Sequence, residues 1–145
     1  MTNASATPAT VLVYSDDAAV RERIRMAVGR RPAADVGPIT WVEASTGEEV
    51  VSLTDAGGLD LLLLDAEAWP TGGMGISRQL KHEVDDCPPV CLVLARKVDR
   101  WLATWSEADA VLSHPLDPVA AAAAVADVLR RTLGVVPSAA GPVAR

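Results

Sequence analysis

The sequence predicts a doubly wound α/β domain built on a five-stranded parallel sheet. Three observations carry this. Short β-branched or leucine-rich runs alternate five times with stretches of helical spacing. Those runs are apolar throughout rather than at every second residue, as strands covered on both faces are. The 145 residues suit one domain with a sizeable core.

Residues 1–9 are small and polar with Pro8, and are expected to form a flexible lead-in. Thr10–Tyr14 is the first strand and ends at Ser15-Asp16-Asp17. "AAVRERIRMAVGRR" carries Val20, Ile24, Ala27 and Val28 at helical spacing. Gly29 and, more strongly, Pro32 signal its end. "PITWVEAS" is the second strand. "TGEEVVSLTDAG" is a short helix that Thr46 can cap, with Glu48 and Glu49 in its first turn and Gly57-Gly58 closing it. "LDLLLLD" is the third strand, "WPTGG" a loop, and "MGISRQLKHEV" a helix with Ile76, Leu80 and Val84 on one face. "PPVCLVLA" is the fourth strand, "VDRWLATWSEA" a helix and "DAVLSH" the fifth strand. "PLDPVAAAAAVADVLRRTL" is a long Ala-rich helix whose Arg130 and Arg131 complement its dipole. The domain thus spans 10–133, and the Pro/Gly/Ala-rich residues 134–145 form a loose tail.

Half of the residues are apolar, which argues against disorder. With no Phe and one Tyr, the core must be aliphatic, and Trp41, Trp69, Trp101 and Trp105 are the only large rings at hand. The net charge of -6 argues against nucleic-acid binding. No apolar run is long enough for a membrane span, and the N-terminus has no basic and apolar leader. Cys87 and Cys91 straddle Pro88-Pro89 with no His or Cys cluster beside them. They are expected to be buried thiols in a reducing cytoplasm rather than a zinc site.

In a parallel sheet, ligands and chemistry collect at the carboxyl ends of the strands. Asp65 closes the third strand, and Ser15, Asp16 and Asp17 follow the first. Carboxylates from two neighbouring strands would share one crevice, where their repulsion invites a hard cation such as Mg2+.

These acids, the Pro-Gly loop behind Asp65 and the residue-Pro pair after the fifth strand resemble the receiver domain of bacterial response regulators, over roughly residues 10–131. The resemblance implies a flavodoxin-like three-layer sandwich of five β-α units. With no output domain following, a stand-alone receiver is the expectation. It implies a phosphoryl acceptor at Asp65 and Mg2+ held by Asp16, Asp65 and the backbone carbonyl of Glu67, with Asp17 in reserve. "DAEAWPTGGMGISRQLK" matches the family at Gly73, with Pro70 displaced by one residue. Anchoring on Val13 and Arg21 puts Ser15 where the family has its first acid and Asp16 at the second. Leu94 replaces a Thr or Ser, Val111 replaces a switching aromatic, and His114 replaces the Lys before Pro115. A cis peptide at His114-Pro115 is implied as well. The chain therefore resembles an atypical receiver, phosphorylated slowly if at all. The implied partners are proteins: a histidine kinase, a downstream effector, and a second copy through the fourth helix, fifth strand and fifth helix.

Plainer roles compete with these. Asp65 can cap the next turn, Asp16 or Asp17 can cap the first helix, and His114 can be an ordinary loop residue. Trp101 and Trp105 share a helix face, while Val98, Leu102 and Ala108 can supply its core side. At least one of the two is then expected at the surface as a partner anchor. Trp69 is a candidate lid. Rival functions are a phosphorylation-independent scaffold and a small Mg-dependent hydrolase with Asp65 as nucleophile. The hydrolase lacks the donors that Leu94 and His114 displace. A flavin module is disfavoured because "SDDAAV" is acidic where phosphate would bind.

Overall fold

The computed structural model describes residues 8–96 and 100–134. Most of the N-terminal lead-in, Val98 and the tail from 135 onward lie outside them. Ten elements alternate: β1 (Ala9–Tyr14), α1 (Ala18–Val28), β2 (Ile39–Ala44), α2 (Gly47–Ala56), β3 (Leu61–Asp65), α3 (Gly73–Glu83), β4 (Val90–Leu94), α4 (Trp101–Ser106), β5 (Ala110–Ser113) and α5 (Pro118–Leu133). The five strands form one parallel sheet in the order β2-β1-β3-β4-β5.

The four-leucine run lies near the middle of that sheet, paired to β1 on one side and β4 on the other. Strand side chains alternate between faces. Leu61 and Leu63 join Val11, Val13, Ile24, Val125 and Leu129 beneath α1 and α5. Leu62 and Leu64 join Leu12, Tyr14, Ile76, Leu80 and Leu92 beneath α2, α3 and α4. A continuous apolar strand is what two cores, one on each face, require.

Local chemistry fixes the helix ends. The Asp17 carboxylate accepts from Ala19 N–H and caps α1. Thr46 and Glu49 form a reciprocal capping box on α2. Asp117 caps α5 just before Pro118. α1 stops at Val28, three residues short of the predicted end, because Gly29 takes φ 84°, a left-handed value that side chains resist. α4 stops at Ser106 rather than Ala108, with Glu107 in the left-handed region. β1 starts at Ala9, one residue early, because Ala9 N–H donates to the Pro38 carbonyl.

The core is aliphatic, as expected, and both Trp101 and Trp105 reach the surface. Trp69, Trp101 and Trp105 are 75%, 69% and 52% exposed, and Trp41 only packs at the core edge. The one large ring that is fully buried is Tyr14.

Candidate functional site at the carboxyl rim of the sheet

β3 delivers Asp65 to the carboxyl rim with only 5% of its surface exposed. β1 delivers the fully buried Ser15 beside it, because the two strands pair in register from Val11-Leu61 to Tyr14-Leu64. Ser15 Oγ–H donates to Asp65 Oδ2 at 2.8 Å, and Ser15 Oγ accepts from Asp17 N–H at 3.1 Å. The other carboxylate oxygen, Oδ1, accepts from Glu67 N–H at 2.8 Å. Both oxygens of Asp65 therefore already hold a neutral donor.

Asp16 takes a separate role. Its Oδ1 accepts from Trp69 N–H at 2.9 Å, so it ties the β1–α1 turn to the loop behind Asp65. That loop is tied again from below. The Tyr14 hydroxyl donates to the Thr71 carbonyl at 2.5 Å. Burial first, and then the charges of Asp16, Asp65 and Glu48, push the Tyr14 phenol above its ordinary value. The loop can press so close because Gly72 and Gly73 have no side chains. A Cβ at Gly73 would lie 2.8 Å from Leu64 Cβ, and one at Gly72 would lie 2.6 Å from the Ala66 carbonyl oxygen. Arg21 completes the rim by donating to the Ser15 carbonyl while pairing with Glu43.

The remaining predicted positions are brought near this rim but not onto Asp65. Leu94 ends β4, fully buried, and its carbonyl accepts from His114 N–H. Val111 is half-buried in β5. Among the described residues no hydrogen bond or ion pair joins His114 to Asp65; His114 is one of the residues that line a cleft beside α1. The His114-Pro115 peptide is cis, as the resemblance implied, and so is Trp69-Pro70, which the sequence did not suggest. Asp17 spends its carboxylate on the α1 cap. Cys87 and Cys91 are free thiols, and burial pushes Cys91 up to about 12, which leaves it inert.

The rim offers few charged donors to a bound Mg2+. Among the described residues no three His, Cys, Asp or Glu side chains come together as a cage. A neutral hydroxyl, Ser15, occupies the strand-one position nearest Asp65, and one oxygen of Asp16 is engaged by Trp69. Two carboxylates remain, Asp16 and Asp65. That number fits Mg2+ where phosphate oxygens and water complete its shell.

Sequence reasoning missed the Tyr14–Thr71 and Asp16–Trp69 bonds. No local pattern in the sequence signals either bond, since their partners lie 57 and 53 residues away.

A parallel sheet in this order, with a buried carboxylate at the carboxyl end of β3 and a helix-starting acidic turn beside it, defines the receiver class of signalling domains. No family model matches the chain. Response regulatory proteins from two Mycobacterium tuberculosis strains, both described as uncharacterized, are 47% identical to it over 126 residues, 87% of this chain and 95% of theirs. The chain belongs to the response-regulator family. Its fold is shared with the receiver domain of a Francisella response regulator, with a TM-score of 0.71 and 20% identity over 86% of this chain and 98% of that one. It is shared too with a Thermotoga maritima response regulator in complex with Mg2+-BeF, with a TM-score of 0.67 and 21% identity over 83% and 98%.

Proposed function

We propose that the chain serves phosphorelay signalling as a non-enzymatic receiver that acts through protein contact, with Asp65 as a slow phosphoryl acceptor. The single observation that carries this reading is the bonding of Asp65. Its oxygens are held by Ser15 Oγ–H and Glu67 N–H, while the positions that would add a hydroxyl and a cation are Leu94 and His114. Acceptance requires a carboxylate oxygen of Asp65 to attack the donor's phosphorus while the bond from phosphorus to the leaving group breaks and that group keeps the electron pair. Donors already on the carboxylate stabilise its ground state and blunt this attack. Leu94 offers no hydrogen bond to the equatorial oxygens that gather charge. Asp16, Asp65 and the Glu67 carbonyl are the groups that would hold Mg2+ jointly with the phosphodonor. When bound, Mg2+ neutralises charge on the phosphoryl oxygens.

The exposed Trp101 and Trp105 on α4 are the partner anchors in this reading. Arg78 stacks over Trp105 at 4.9 Å and donates to the Trp105 carbonyl, so the ring is pre-positioned without being covered. The partner is a kinase, an effector or a second copy meeting α4, β5 and α5. Incubation with acetyl phosphate and Mg2+, followed by intact mass, tests the acceptor. One phosphoryl group should add slowly to the wild type and not at all to Asp65→Asn. Steady turnover of a phosphate ester would instead favour the hydrolase.

A further inference from the structure

One cleft among the described residues does not have Asp65 in its lining. It has a volume of about 750 Å3 and lies between α1 and the loop from β5 to α5. Its walls are mainly apolar: Met26 and Ala27 from α1, Ala95 after β4, and Leu116. Two residues with nitrogen-bearing side chains, Arg23 and His114, also line it. Arg23 makes no ion pair or hydrogen bond within the described residues, in a chain whose net charge is -6. The Met26 side chain is 73% exposed, and methionine is the apolar residue best able to mould to a guest.

We propose that this cleft binds a small free organic acid: a compact apolar or aromatic body carrying one carboxylate or sulfonate. The volume lies in the range that holds drug-sized molecules, and the lining has the usual make-up of such sites, apolar walls with few polar groups. Arg23 supplies a guanidinium with no competing carboxylate, and His114 adds a ring donor. An anion is thereby the complementary charge. A docked helix fits less well. On α1 the cleft is lined only by positions 23, 26 and 27, about one turn, whereas helix-in-groove recognition uses anchors spread over two turns or more. The proposal does not depend on phosphorylation of Asp65.

Anilinonaphthalenesulfonate is a suitable reporter, since it is itself an apolar anion. Fluorescence titration of the native full chain should show saturable one-to-one binding that naphthoate displaces. Neutral naphthylmethanol should compete about tenfold less well, and Arg23→Gln, an exposed substitution, should weaken binding about tenfold. Amide chemical shifts should move at residues 23–27 and 114–118. The proposal is overturned by non-saturable binding, by equal competition from the alcohol, by an unchanged Arg23→Gln, or by shifts centred on α4. Loss of probe binding as protein concentration rises would also overturn it, by showing that a second copy covers the cleft.

Discussion

Ser15 and Asp65, fifty residues apart, meet at the ends of adjacent strands, and the serine hydroxyl donates to the aspartate at 2.8 Å in a buried setting. A neutral donor thus stands where an additional acid would give this rim a third carboxylate. Ser15→Ala removes the donor while leaving the carboxylate buried. It should cost roughly 1–3 kcal/mol of stability by denaturant titration. Ser15→Asp should also destabilise in the absence of divalent ions, through like-charge repulsion. Unlike Ser15→Ala, it should regain stability on adding Mg2+, read as a rise in Tm.

Tyr14 is the only tyrosine, so its ionisation can be followed alone by ultraviolet absorbance. Its phenol is raised above the ordinary 10.0 by burial and by the neighbouring acids. A raised value means that the folded state holds this proton more tightly. The stability it contributes is complete below pH 10 and is lost as pH rises through the folded value. The phenolate signal should therefore appear above pH 10 in the folded protein and move down on denaturation. Tyr14→Phe leaves the Thr71 carbonyl without its donor and should cost about 1 kcal/mol.

Asp35 and Arg130 form a two-bond pair at 2.6 and 2.9 Å that ties the α1–β2 connection to α5. The guanidinium holds the Asp35 carboxyl below the usual range. A lowered value reverses the sign. The contribution is present above the ordinary 3.8 and is lost as pH falls through the folded value. Because both side chains are partly solvated, Asp35→Asn should cost only about 1 kcal/mol or less at neutral pH. Urea titrations should show wild type and variant converging in acid.

The exposed tryptophans separate stability from binding. Trp101→Ala and Trp105→Ala should each change stability by less than about 1 kcal/mol, since both rings are largely solvated. Either should weaken a partner found by pull-down. If neither does, α4 is not the contact surface.

The fold was legible because its signal is periodic. Leu61–Leu64 could only be a strand with a core on each face, and Asp65 stood out as the charge that ends it. The resemblance put Ser15 at the first-acid position, and the pairing of β1 with β3 brings it against Asp65. Less legible were contacts that depend on tertiary placement. Nothing local to Tyr14 announces Thr71, and nothing near Asp16 announces the Trp69 amide. The aliphatic core was legible from composition: a chain without Phe fills both cores with leucine, isoleucine and valine and leaves Trp101 and Trp105 exposed. His114 illustrates the limit of carrying a role across a resemblance: the position is kept, but among the described residues no hydrogen bond or ion pair joins it to Asp65.

In the proposed function Asp65 accepts a phosphoryl group slowly, because Leu94 and His114 supply no charge-stabilising contact to it. The direct measurement is the initial rate of phosphoryl incorporation from acetyl phosphate with Mg2+, by intact mass, for wild type and for the double variant Leu94→Thr, His114→Lys. Incorporation that requires Asp65 and rises at least about tenfold in the double variant is the predicted result. Equal rates in the two proteins, or incorporation that persists in Asp65→Asn, would contradict it.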